Sequence, residues 1–275
     1  RMALSSPPAA VYWGVTRPWD QLTSNEAIST PTPPVPPFPS RICTCARTSA
    51  RYEWLSLKGV VFDVDGVLFD TERLTNQTWL AVGTEMGWPQ IGEHYLEFVG
   101  QNRTDAFQRM TDLFGPEFPR EEFMRRCSGQ NQARMEREGV PMKPGVVELL
   151  DFLKSQNIPM ALATSTGRER TLRRMEMTGL GPYFSAIITG DQVVHSKPDP
   201  EIYQLACRAL GTDPAQTIAI EDSRNGILSA HAAGMKVIMV PDMIPPTPEL
   251  DALLFQRCAS LLEVRDFLSP QLNLE

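Results

Sequence analysis

The rhythm of apolar positions changes twice along this chain. From Leu57 onward, short apolar runs rich in β-branched residues alternate with longer stretches of helical periodicity. The runs at 60–64, 159–163, 186–188, 217–220 and 236–240 predict strands buried on both faces. The periodic stretches predict helices over 144–156, 167–178, 199–210 and 223–233. Pro144 and the pair Asp199-Pro200 mark helix starts, while Gly179, Gly211 and Gly234 mark stops. Strands alternating with helices predict an α/β fold built on a doubly wound parallel sheet, assembled from 58–71 and 141–275. Residues 72–140 break this rhythm. They contain no convincing strand and four amphipathic stretches, around 72–86, 93–99, 103–114 and 119–138, which predict an inserted all-helical cap.

Residues 1–57 have no apolar periodicity at all. Nine of the chain's 24 prolines lie between Pro7 and Pro39, among Ser, Thr and Arg. Such a composition buries too little apolar surface to offset chain entropy, and predicts a disordered leader. Ser/Thr/Arg-rich, acid-poor leaders also resemble organelle transit peptides. A third reading makes 1–56 translated upstream sequence, with the native start at Leu57, because no Met occurs between Met2 and Met86. N-terminal sequencing of the natural protein decides among the three.

Composition narrows the function classes. The formal charge is −7, and the leader's five arginines against three acids leave −9 on the remaining 218 residues. A basic stripe for nucleic acid is not expected. No apolar run reaches the ~18 residues of a membrane span, and no compact apolar signal core follows the first residues. The five cysteines make no disulfide framework, and the three histidines do not pair at ligand spacing. A monomeric, cytoplasmic enzyme is expected, with organelle targeting by the leader left open.

Four signals carry candidate chemistry, each with a plainer reading beside it. Asp63 ends an apolar strand and Asp65 follows two residues later, so strand alternation puts both carboxylates on one side. Two such acids need a cation or a shared proton, although an Asp cap and an Asp-Gly turn read equally simply. Thr164-Ser165-Thr166-Gly167 closes a strand and opens a helix, as a phosphate cradle or as ordinary capping. Lys197 precedes a proline-braced helix start, as a point charge for phosphate or a surface lysine. Glu221-Asp222-Ser223 ends another strand, as oxygen ligands for Mg²⁺ or as a helix cap. All four fall at strand ends or helix starts on one edge of the predicted sheet, where open parallel sheets bind ligands.

Together, Asp63-Val-Asp65-Gly-Val-Leu-Phe-Asp70-Thr-Glu72, Thr164-Ser165, Lys197-Pro-Asp-Pro200 and Glu221-Asp222-Ser-Arg-Asn-Gly226 resemble the haloacid dehalogenase-like (HAD) superfamily. The likeness is to its helical-cap branch, which includes β-phosphoglucomutase and small sugar-phosphate phosphatases, and it covers about 58–270. It implies a Rossmann-like core and a Mg²⁺-dependent phosphatase acting on a small phosphorylated metabolite, a sugar phosphate above all. It implies Asp63 as nucleophile, forming a phosphoaspartyl intermediate, and Asp65 as general acid and base. It implies Mg²⁺ held by Asp63, the carbonyl of Asp65 and Asp222, with Glu221 as a ligand or as a partner behind the ligands. Thr164, the backbone at Ser165, and Lys197 would hold the phosphoryl oxygens. In the cap, Arg103 matches an arginine that reaches a substrate's far end, and Asn76, Trp79 and Asn102 could line the same pocket; Trp79 reads equally as cap core.

The presence of Asp65 disfavours a true dehalogenase. A sugar-phosphate mutase of the β-phosphoglucomutase kind is the nearer alternative, but Thr75 stands where those sequences carry a His in the first cap helix. A non-catalytic module that binds a phosphorylated metabolite is the remote alternative.

Overall fold

A computed structural model describes residues 57–99, 101 and 103–272. The expectations for the leader, and for Asn102, lie outside the described residues. Strands β1 (Gly59–Phe62), β2 (Met160–Thr164), β3 (Ala186–Thr189), β4 (Thr217–Glu221), β5 (Lys236–Met239) and β6 (Gln256–Arg257) form one parallel sheet of order β3-β2-β1-β4-β5-β6. The chain leaves β1 to one side for β2 and β3, then returns to the other side for β4. The order therefore reverses between β1 and β4, where a crevice opens at the carboxyl ends.

Alternation along each strand feeds two separate cores. Val60, Phe62, Leu162, Ile218, Ile220 and Ile238 face one cluster, while Val61, Ala161, Ala163, Ala219 and Val237 face the other. The first is covered by α4 (Val146–Ser155), α9 (Leu261–Leu272) and Met175 of α5 (Arg168–Thr178); the second by α6 (Glu201–Leu210) and α7 (Arg224–Ala232). Both faces are buried, as near-continuous apolar strands require.

Between β1 and α4 the described residues form the α-helices α1 (Thr71–Glu85), α2 (Arg103–Phe114) and α3 (Arg120–Glu138) and no strand. These helices have a core of their own, in which Trp79 packs against Tyr95, Phe98 and Phe123 at ring distances of 5.1, 5.0 and 5.1 Å. Trp79 is buried in the core of this helical insertion. The helix predicted at 93–99 is not an α-helix. Its stretch holds a single 3₁₀ turn, Tyr95–Glu97, because those few residues serve mainly to seat Tyr95 and Phe98 against Trp79. The C-terminal elements β6, α8 (Pro248–Asp251) and α9 carried no sequence expectation. Cys127, Cys207 and Cys258 are buried free thiols, as small apolar fillers are. Among the described residues, no helix is long and apolar enough to cross a membrane.

Ser223 caps α7, its hydroxyl accepting from the Gly226 N–H at 3.1 Å. Ser223→Ala is expected to cost about 1–2 kcal/mol of stability. Urea denaturation measures this, and an unchanged midpoint refutes it.

Candidate active site

β1 is fully buried, so its ladder carries the next residue into the crevice intact. The Asp63 N–H still donates to the Ile220 carbonyl of β4 at 3.0 Å, one residue past the strand's end. The chain then reverses through Gly66, whose φ of +83° suits glycine. A side chain there is excluded twice over, because a Cβ would lie 2.1 Å from Asp222 Oδ2. The strand stops at Phe62, so this loop, and not strand alternation, sets where Asp65 points.

Two polar clusters meet at this edge. In the first, the buried Lys197 ammonium donates to Asp63 Oδ1 at 2.6 Å, Glu221 Oε1 at 2.7 Å and the Ala163 carbonyl at 2.9 Å. Tyr203, on α6, donates its hydroxyl to the same Glu221 oxygen at 2.7 Å. The other Glu221 oxygen accepts from the N–H groups of Asp222 and Ser223 at 3.0 and 3.1 Å and from the Ser223 hydroxyl at 3.1 Å. Glu221 is therefore occupied on both oxygens. Gly226 lets it lie flat against α7, since a Cβ there would come within 1.7 Å of Glu221 Oε1.

In the second cluster, Asp65 Oδ1 accepts from Thr71 at 2.5 Å and from the Arg174 guanidinium at 2.6 Å, and Oδ2 accepts from Thr166 at 2.7 Å. Thr71 opens α1, whereas Thr166 and Arg174 belong to the β2–α5 connection and α5 itself. Asp65 thus joins the cap's first residue to the core. Beside it, the half-buried Glu72 accepts from the Tyr95 hydroxyl. Asp242, in the loop after β5, has a fully buried side chain paired with Lys143 at 2.7 Å.

The electrostatics follow from burial and crowding. Burial pushes the Asp63 carboxyl up to about 7, against the pull of Lys197 and with added repulsion from Glu221. Burial, Glu221 and Asp63 push Asp222 well above the ordinary carboxylate range. Burial also opposes charge on Glu221, but Lys197, Tyr203 and the Ser223 N–H outweigh it and hold its carboxyl low. Asp65 is likewise held low, by Arg174, Thr71 and Thr166 against burial. Burial works against the Lys197 charge, yet Asp63 and Glu221 raise its pKa above the ordinary value.

Asp63 and Asp222 both ionise at a cost, and both offer hard oxygen donors. That donor set fits a small hard cation such as Mg²⁺, which takes few carboxylates and keeps other positions for water and phosphate.

Lys197 touches both Asp63 and Glu221, although the three residues lie far apart in the chain. Thr164 is buried at the end of β2, and its hydroxyl accepts from the Thr166 N–H at 3.1 Å. Ser165 is exposed at the crevice, and Gly190 packs so close that a Cβ would meet the Ser165 carbonyl at 2.3 Å. Arg103 is described by its backbone alone, as the first residue of α2. The sequence assigned no role to Thr71, Glu72, Arg174, Tyr203 or Asp242, and it read Thr166 only within the phosphate cradle, whereas its hydroxyl holds Asp65. Thr71, Glu72 and Thr166 stood inside the motifs themselves; nothing set Arg174 apart from its arginine neighbours. His195, Asp199 and Glu201 also bring ligand-type atoms within 4.8 Å of one another, but Glu201 is spent on the Val194 and His195 N–H groups ahead of α6.

The chain matches the haloacid dehalogenase-like hydrolase family model over residues 60–240. It is 34% identical over 182 residues to a phosphorylated carbohydrates phosphatase of Thermotoga maritima, covering 66% of this chain and 84% of the relative. It is also 34% identical over 198 residues to protein CbbY of Rhodobacter capsulatus, covering 68% and 86%. A mutant CbbY from Rhodobacter sphaeroides, solved in complex with xylulose-(1,5)bisphosphate, superimposes with a TM-score of 0.66 at 26% identity, covering 75% of this chain and 96% of that one.

Proposed function

This chain belongs to the haloacid dehalogenase-like hydrolases, and from that premise we propose that it is a phosphatase of small phosphorylated metabolites, sugar phosphates first among them. It is a phosphoric monoester hydrolase. The observation that carries the reading is Lys197 bridging Asp63 and Glu221 at the crevice between β1 and β4. The names of its relatives, a phosphorylated carbohydrates phosphatase and a protein solved with a sugar bisphosphate, support the substrate class.

In this mechanism an Asp63 carboxylate oxygen attacks phosphorus, and the ester P–O bond breaks. Asp65, ionised in the free enzyme, takes up a proton once the anionic ester sits beside it and gives that proton to the departing oxygen, so the alcohol leaves neutral. Water then attacks the phosphoaspartyl group, Asp65 takes a proton from it, and phosphate is released with Asp63 restored. Lys197, the Thr164 hydroxyl and the Ser165 backbone hold the phosphoryl oxygens as charge shifts among them. Mg²⁺ would be held by Asp63, the Asp65 carbonyl and Asp222, and when bound it offsets the repulsion between an anionic nucleophile and an anionic ester. Glu221, with both oxygens occupied, serves behind these ligands by fixing Lys197. The α1–α3 segment acts as a cap whose hinges, near 71 and 140, let it close over the ester and exclude water. Arg103 and Asn76 contribute from that cap to substrate choice.

Release of phosphate from a panel of phosphorylated metabolites, with and without Mg²⁺, tests the reading. Turnover of sugar phosphates only with Mg²⁺ is expected, and no release from any ester overturns it. The mutase alternative is disfavoured by Thr75, whose hydroxyl donates to the Thr71 carbonyl at 2.8 Å and accepts from Asn131 at 3.0 Å. That residue is a structural tie within the cap. Incubation of a hexose 1-phosphate with a trace of bisphosphate yields free phosphate for a phosphatase and an isomerised ester for a mutase.

Metal binding is also expected to be visible in stability, with a defined sign. Asp63 and Asp222 have folded pKa values above their unfolded ones, so the metal-free protein binds extra protons between the ordinary carboxylate range and about 7. Its stability therefore falls as pH rises through that window. A cation competes with those protons, so Mg²⁺ should raise Tm more at about pH 8 than at about pH 5.5. Equal shifts at both pH values would count against Asp63 and Asp222 as the ligands.

A further inference from the structure

Helix α5 carries four arginines, Arg168, Arg170, Arg173 and Arg174. One of them, Arg174, reaches inward to Asp65. Thr171 and Met175 mark the buried face of the helix, and Arg174 lies on that face with its side chain 12% exposed. Its neighbour Arg173 is 53% exposed and pairs with Glu136 of α3 on the cap's surface. A guanidinium withdrawn from water is costly unless its donors are met. Here the guanidinium donates to a single carboxylate oxygen, Asp65 Oδ1 at 2.6 Å, and the buried Nε–H has no acceptor among the described residues. Packing alone would favour an apolar residue at this position. The charge is retained at the one place on α5 that touches the acid following the nucleophile's strand.

The geometry around Asp65 shows what such a contact can do. Thr71 and Arg174 share one carboxylate oxygen and Thr166 holds the other. Thr71 moves with the cap, because it opens α1. Thr166 and Arg174 do not, since both sit on the core beside β2. Two core donors on different oxygens fix the plane of a carboxyl group, which one hydroxyl cannot do. The loop bearing Asp65 turns on Gly66 and has no strand partner to fix it, apart from an isolated bridge between Asp65 and Phe69.

We propose that Arg174 is a positioning residue for Asp65, setting the orientation from which that acid reaches the leaving oxygen of the substrate. The proposal rests on the phosphatase reading above. In the step concerned, an Asp63 oxygen–phosphorus bond forms, the ester phosphorus–oxygen bond breaks, and the proton that Asp65 has taken up beside the bound anionic ester moves to the departing oxygen. The alcohol leaves neutral and Asp65 is left as the carboxylate that Arg174 faces. An alkoxide is a poor leaving group and needs that proton delivered in the transition state; p-nitrophenolate leaves as a stable anion and does not. A misoriented Asp65 therefore penalises alkyl esters selectively. A general loosening of the fold would penalise both kinds of ester alike.

The test compares wild type, Arg174→Met and Arg174→Lys by kcat/KM, which reports steps through release of the first product. Two esters are used with Mg²⁺: p-nitrophenyl phosphate, and the sugar phosphate that wild type turns over fastest. For Arg174→Met, the loss on the sugar phosphate is expected to exceed the loss on p-nitrophenyl phosphate by about tenfold or more. Arg174→Lys, which keeps the charge but not the planar fork, should recover part of that difference. It also keeps the proposal testable if the methionine variant folds poorly. Equal losses on both esters, or no loss on either, overturn the proposal while leaving the phosphatase reading standing. No release of phosphate by wild type from either ester overturns both.

Discussion

Asp63→Asn is expected to lower turnover of every phosphate ester by about 10⁴-fold or more. Asparagine matches aspartate in size, so the ladder bond from the residue-63 N–H to Ile220 and the buried packing of β1 stay as they are. What is lost is the anionic oxygen that forms the bond to phosphorus. An amide oxygen is a far weaker nucleophile, and the phosphoaspartyl step has no substitute among the neighbouring acids. Asp222 crowds Gly66, and Glu221 is occupied on both oxygens. Loss of activity through unfolding is distinguishable from this. Burial already raises the Asp63 carboxyl to about 7, so a neutral group there should leave Tm near pH 7 unchanged or higher. An asparagine variant that keeps near-normal turnover would remove Asp63 from the role of nucleophile.

Lys197→Met is the second large effect, and it acts on stability as well as rate. The ammonium is 5% exposed and holds Asp63, Glu221 and the Ala163 carbonyl together. Taking out one partner of a buried ion pair leaves the others uncompensated, at a cost of about 3–5 kcal/mol. The sign with pH follows from which charges are stranded. Asp63 and Glu221 without their cation ionise less readily, so the variant is weakest at neutral and alkaline pH. It recovers part of the loss as pH falls and the carboxyls protonate. Phosphate release should drop about 10²–10³-fold, as removal of one donor to a developing charge does. Denaturant titrations at two pH values, alongside the phosphate assay, read both effects. A variant as stable as wild type at pH 8 would show that Lys197 carries little of the burden at this edge.

The parallel sheet was legible because its strands are short, apolar runs bounded by helix signals. Residues 160–164, 186–189 and 217–221 lie within a residue of the runs that predict them. The four motifs were legible for a related reason. Each pairs a strand end with polar residues, and strand ends in a doubly wound sheet share one edge. Trp79 shows the limit of local reading, since an aromatic residue on a cap helix suits a pocket and a core equally well. Only its three ring neighbours settle the matter. Arg173 and Arg174 show it more sharply. They are adjacent, identical in chemistry and indistinguishable by composition, yet one meets Glu136 at the surface and the other meets Asp65 at the crevice. Tyr203 is packed among the apolar side chains of the second core. Its hydroxyl found Glu221 because Ala161, Ala163 and Ala219 let that helix lie close against the sheet.

The sequence by itself determined the alternation of strands and helices as far as β5, the insertion of a helical segment after the first strand, and the residue types present at the ends of β1, β2 and β4. These follow from periodicity and local propensity, which act over a few residues. The tertiary structure alone decided which charges meet. Lys197 reaches Asp63 across 134 residues, and Arg174 reaches Asp65 across 109, because β1 is registered between β2 and β4 with Val60 opposite Met160 and Ile218. Register is a property of paired backbones and packed faces, and a one-residue slip would send every side chain to the opposite face.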